Sequence, residues 1–175
     1  MRLWTPPLCL ALIALAQSTA SADATTSDPN DPGPKNIGPD GMQETYLVLS
    51  DEERARGFVR PLRRSYRHVG PPGPTHELRD LTDDEAARFA GTGYVKFEPY
   101  PGDDIRVGRY WTQDRLDAVG RGCGTVTTMG LAIAETYARQ PSFYGGTYCA
   151  GCSTHRSVGP DGEFVWEGTN ERVGT

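Results

Sequence analysis

Two cysteines three positions apart, in Cys149-Ala150-Gly151-Cys152, lie between Gly145-Gly146 and Gly159, and a third, Cys123, stands between Gly122 and Gly124. A C-x-x-C on a tight turn lets both sulfurs reach one ion at ~2.3 Å while N–H groups of the turn hydrogen-bond the thiolates. The surrounding chain makes such a cross-link valuable. With 21 glycines and 14 prolines in 175 residues, it is broken into short elements and long loops. A fold of that texture gains from a metal staple.

Four-coordinate zinc needs four ligands, so three cysteines call for one histidine. His68 is the preferred fourth ligand. It sits in the aromatic-flanked stretch Tyr66-Arg67-His68-Val69-Gly70 and is distant enough in sequence to approach from another strand. His155 is the alternative, although a ligand three residues past Cys152 would have to share the same small turn. His76, close to Pro74, reads as a surface loop residue. Gly151 is expected to supply the backbone freedom that a knuckle turn often needs. Cys123 is expected just ahead of a long helix, whose positive end would favour its thiolate.

Other chemistry is open to these cysteines. An exported chain could carry a Cys149–Cys152 disulfide, or the thiols could be buried and inert. Once Cys9 is assigned to the leader, three cysteines remain, and a disulfide would strand one of them. A thioredoxin-like motif would open a helix, whereas glycine and β-like sequence follow this C-x-x-C. A zinc deaminase would need an x-Glu after its first ligand and a Pro before the later pair; Cys123-Gly124-Thr125 and Tyr148-Cys149 supply neither. No glycine-rich loop ends in Lys-Ser or Lys-Thr. A thiol- or metal-dependent enzyme using Cys123 and His68 remains as the catalytic alternative to a binding module.

The net charge of −5 gives no global attraction to nucleic acid or anionic membranes. Locally, Arg54, Arg56, Arg60, Arg63, Arg64 and Arg67 crowd a stretch without an acid, directly after Asp51, Glu52 and Glu53. That run reads either as a solvated, acid-balanced face or as a contact for nucleic acid or an acidic protein.

Residues 1–22 have the parts of a secretory signal: Arg2, an apolar run over 8–16, and Ala20-Ser21-Ala22 as a cleavage site. The run is too short for a permanent membrane span. Residues 23–44, mostly Asp, Pro, Gly, Ser and Thr, read as a disordered linker, leaving 45–175 as the folding unit. Export is the reading if the signal is real. If Met42 is the true start, the chain stays in the cytoplasm of its host cell.

Within the folding unit the elements are short. A strand is expected over 46–49, then helices opened by Ser50, Thr82 and Thr112. Thr82-Asp83-Asp84-Glu85 is a capping box. A strand over 93–98 is expected to alternate Tyr94, Lys96 and Glu98 on one face with Val95 and Phe97 on the other. The longest helix should run over 126–139, stopped by Pro141. Beyond it the texture is β, ending in a hairpin of 164–166 with 171–173. The fold class is therefore α+β: a small single domain with short helices and a zinc-ribbon-like C-terminal β-hairpin region.

Three segments carry a resemblance: Tyr46-Leu47-Val48-Leu49-Ser50 with Phe58-Val59-Arg60-Pro61; Gly122-Cys123-Gly124-Thr125-Val126-Thr127-Thr128-Met129; and Tyr148-Cys149-Ala150-Gly151-Cys152 leading to Glu163-Phe164-Val165-Trp166. They are similar to a group of small uncharacterised proteins encoded by bacteriophages and in metagenomic viral sequence. The resemblance covers about 46–175. It implies that the Cys and His positions belong together and that such proteins act inside a host cell. It implies no activity.

Overall fold

The computed structural model describes residues 24–175 apart from Asp103 and Ile105; the signal-like segment lies outside the described residues. In chain order come β1 (Thr25–Thr26), β2 (Tyr46–Leu47), α1 (Asp51–Ala55), β3 (Ser65–His68), β4 (Arg79–Asp80), α2 (Asp83–Arg88) and β5 (Tyr94–Pro99). There follow β6 (Gly108–Thr112), α3 (Gln113–Ala118), β7 (Val126–Thr128), α4 (Leu131–Arg139), β8 (Gly146–Cys149), β9 (Thr154–Ser157) and β10 (Phe164–Trp166). The fold is α+β.

Helix starts follow the caps written in the sequence. Ser50 with Glu53, and Thr82 with Glu85, form complete capping boxes, and Thr112 accepts from the Arg115 N–H. The helix expected over 126–139 begins five residues later. Val126-Thr127-Thr128 is β-branched and pairs antiparallel with β3, so this stretch is strand β7; Gly130 then caps α4. The helical stripe survives in the shorter helix, where Ile133, Ala134, Tyr137 and Ala138 are buried.

The central sheet has the order β10-β3-β7, all antiparallel, with Phe164 opposite His68 and Trp166 opposite Tyr66. Its buried face meets α4. Tyr66 packs edge-on to Phe164 with ring centres at 5.3 Å, and Tyr137 edge-on to Trp166 at 5.7 Å. Burying each such side chain contributes ~1.5–3 kcal/mol. The C-terminal pairing expected from sequence is present: Val165 bridges Arg172, and the Val173 N–H donates to the Phe164 carbonyl.

A second sheet, β4-β5-β6, is built differently. The simple alternation expected for 93–98 is broken by a register shift between Tyr94 and Lys96, after which Phe97 and Glu98 are both buried. Phe97 packs on Tyr110 and under the Arg79 guanidinium. Glu98 accepts hydrogen bonds from the Thr75 N–H and hydroxyl, the His76 N–H and the Trp111 indole. Burial alone would raise the pKa of this carboxyl. The four donors outweigh that effect and hold it below the usual carboxylate range.

Residues 24–44 were expected as a disordered linker, yet they carry structure against the domain. β1 pairs parallel with β2, the Tyr46 N–H donates to the Ala24 carbonyl, and Ile37 bridges Gln43. Polar composition here serves turns: Asp31 accepts from the Gly33 N–H, and the Gln43 amide donates to the Pro34 carbonyl. Among the described residues, no helix is long and apolar enough to cross a membrane.

Candidate metal centre

Backbone pairing brings His68 and Cys123 together. His68 ends β3, its N–H donates to the Thr125 carbonyl, and its own carbonyl accepts from the Gly124 N–H. The loop carrying Cys123 thus continues the β3–β7 ladder. This approach needs glycine at 122, where a Cβ would lie 2.3 Å from the His68 carbonyl oxygen.

The C-x-x-C turn is placed by two hydroxyls. The Tyr66 hydroxyl donates to the Tyr148 carbonyl at 2.6 Å, and the Thr127 hydroxyl accepts from the Ala150 N–H at 3.1 Å. Cys149 ends β8, and Cys152 closes the turn with its N–H on the Cys149 carbonyl. Gly151 is required for space rather than for an unusual φ, because a Cβ there would meet the Thr125 hydroxyl at 2.1 Å and the Cys123 sulfur at 2.8 Å. The left-handed residue of the turn is Ser153, at φ 50°.

All three sulfurs converge on one ring nitrogen. His68 Nδ1 lies 3.3 Å from Cys123 Sγ, 3.6 Å from Cys149 Sγ and 3.4 Å from Cys152 Sγ. Cys123 and Cys149 Sγ are 3.5 Å apart, and the four ligand atoms all fall within 4.8 Å of one another. The three cysteines are free thiols in this structure. A group of this kind can hold a metal ion.

Glu163 completes the arrangement, and sequence reasoning missed it as a functional residue. Its Oε2 lies 2.9 Å from His68 Nε2, so the ring donates on that side and presents an unprotonated Nδ1 to the sulfurs. The residue is held in turn, since its carbonyl accepts from the Val69 and Gly70 N–H groups. Phe164 packs against the imidazole at 5.0 Å. The available signal was that 163 directly precedes a strand that could pair with His68; nothing in the sequence named that partner.

The sulfurs sit in unequal surroundings. Hydrogen bonds from the Thr125 hydroxyl and N–H pull the Cys123 thiol down to about 6. Those bonds supply what a helix end was expected to supply, because strand β7 and not a helix follows Cys123. Burial pushes the Cys149 thiol up to about 11, opposed by N–H groups of Cys152 and Gly151. A metal ion would displace that proton on binding.

His155, the alternative ligand, lies outside the cluster. It sits opposite Tyr148 in the β8–β9 hairpin and packs on Tyr46 and Tyr148, so three residues past the knuckle the strand has carried it away. His76 stands by Tyr100 in the Glu98 loop. Of the arginine run, Arg54 pairs with Asp51 and Glu135, Arg56 with Glu52, Arg63 with Glu171 and Arg67 with Glu167. The Arg64 side chain donates to the Met129 carbonyl.

Compared with family models, curated proteins and solved structures, the chain matches none.

Proposed function

We propose that the protein is a small binding module built around one structural zinc ion held by His68, Cys123, Cys149 and Cys152. The observation that carries this reading is the spacing of the four ligand atoms. Zinc at ~2.3 Å from sulfur and ~2.0 Å from nitrogen sets tetrahedral edges of about 3.8 Å (S to S) and about 3.6 Å (N to S). The separations of 3.3–3.6 Å between Nδ1 and the sulfurs are close to that edge. The Glu163–His68 pair supports it, as ligating histidines are oriented by such carboxylates. Four protein ligands leave no open position for water, which favours a structural role over catalysis. The zinc would join β3, the Cys123 loop and the β8–β9 turn.

What the module binds is part of the same proposal. The arginine run would serve an acidic protein better than nucleic acid, because four of its six members already face carboxylates, and free, clustered cations are what counterion release requires. The host-cell setting implied by the viral resemblance fits a metal site of reduced thiols better than an exported disulfide. Cobalt substitution tests the reading: a tetrahedral, thiolate-rich spectrum supports it, and a five-coordinate spectrum with bound water overturns it.

A second reading has its own observation. Cys123, His68 and Glu163 are in line at 3.3 and 2.9 Å, the order of a thiol nucleophile, its base and the base's orienting carboxylate, and Cys123 is exposed. Cys149 and Cys152 have no role in such a triad. Cys149→Ser and Cys152→Ser therefore separate the readings. A thiol enzyme would keep rapid alkylation of Cys123 and its activity, whereas a zinc module would lose its metal.

A further inference from the structure

Beside the metal-bearing hairpin lies a half-open cavity of about 540 Å3. Its volume is that of a small-molecule site, since such pockets run from roughly 300 to 1,000 Å3. Aromatic rings dominate its wall: Tyr46, Tyr66, Phe143, Tyr144 and Tyr148, with Met129 beneath. No Asp, Glu, Lys or Arg lines it, although 23% of the chain is charged.

The space is propped open. One wall is the N-terminal arm around Met42, which is kept at a distance by the Tyr148 hydroxyl donating to the Asp40 carbonyl at 2.9 Å. Gly41 lets the arm pass the knuckle, as a Cβ there would lie 2.0 Å from the Ser153 carbonyl oxygen. Neither the arm nor the hairpin can close on the cavity without breaking these contacts.

Two side-chain polar atoms of the lining residues lack a hydrogen-bond partner, the Tyr137 hydroxyl and His155 Nε2. His155 Nε2 is shielded from solvent and has no hydrogen bond. Burial lowers the pKa of this histidine, so the ring is neutral at pH 7. Its Nε2 is left without a partner. A buried polar atom left unpaired is destabilising, and a ligand hydroxyl would satisfy it.

We infer that this cavity binds a small, neutral aromatic molecule bearing a hydroxyl, its ring among the tyrosines and its hydroxyl paired with His155 Nε2. The absence of lining charge disfavours phosphates, carboxylates and polyamines, whose charge would be desolvated unpaired. The site is distinct from the metal ligands, with which it shares strand β3 and the β8–β9 hairpin.

Phenol, toluene and benzoate, titrated into the full chain and followed by NMR of the His155, Tyr46 and Tyr148 rings, test the inference. Phenol should give saturable shifts at all three rings, toluene should bind about tenfold more weakly for want of the hydrogen bond, and benzoate should not bind. His155→Phe should bring phenol and toluene to equal affinity. Gly145→Leu, at a cavity-lining position where a Cβ meets nothing within 4 Å, should block both while leaving the thermal midpoint and metal content unchanged. No saturable shift with phenol, benzoate binding as well as phenol, or phenol binding undiminished in Gly145→Leu would each overturn it.

Discussion

The two three-stranded sheets of this protein meet the same difficulty, short strands joined by Gly- and Pro-rich loops, with opposite chemistry. Around β3, β7 and the β8–β9 turn, four soft ligands converge from three places in the chain, and their mutual contacts make sense around a cation. Around β5 and β6, one buried carboxylate, Glu98, gathers four donors from the 75–76 loop and Trp111. One half has a ligand group that can hold a cation; the other pins its loops with an anion. The difference lies in what each requires: the anion site is complete within the chain, while the cation site depends on supply of a metal.

That contrast can be broken most severely at Cys152. Cys152→Ser, or chelation of the native protein, should abolish metal binding and unfold the β3–β10 sheet, seen as loss of Trp166 burial and of the circular dichroism signal. Structural zinc supplies on the order of 10 kcal/mol, as much as the whole stability of a small domain. Glu98→Gln should cost about 2–4 kcal/mol, since an amide cannot accept from every donor the carboxylate satisfies, while metal stoichiometry stays intact. Chemical denaturation with metal analysis checks both parts.

Acid distinguishes the two halves by the pH at which each gives way. The folded-state pKa of Glu98 is lowered, so its contribution is present in full above the unfolded value of about 4.3 and is lost as pH falls through the folded one. Glu98→Gln should therefore flatten the acid limb of the stability profile below about pH 4. Metal release should begin at higher pH, because protons compete for the thiolates. A smaller effect is expected at Glu163: replacement by Gln should weaken metal affinity about 10–100-fold and leave the metal-loaded fold unchanged. Smallest of all, Thr82→Ala should remove about 1 kcal/mol by loosening α2 alone.

The convergence of His68 with the three cysteines was legible because its signals are local and chemical: a C-x-x-C turn, a cysteine between glycines, and a histidine among aromatic residues in an extended stretch. The caps at Ser50, Thr82 and Thr112 were legible for the same reason. What stayed hidden depends on strand pairing. Val126-Thr127-Thr128 fitted a helical pattern until its partner Ser65–Arg67 was known. Glu163 is an ordinary acid until β10 sets it beside His68. Glu98 looked like one side of an alternating strand, and a single register shift buried it. Residues 24–44 lack the apolar content to fold alone, and their order comes from pairing with Tyr46 and Leu47.

The central claim is that one metal ion holds His68, Cys123, Cys149 and Cys152 together. Native mass spectrometry of the purified chain, with denatured mass on the same sample, tests it most directly. The account predicts one zinc per chain in the native spectrum and a denatured mass with all three thiols reduced. A metal-free chain lighter by two hydrogens, with Cys149 and Cys152 joined as a disulfide, would contradict it.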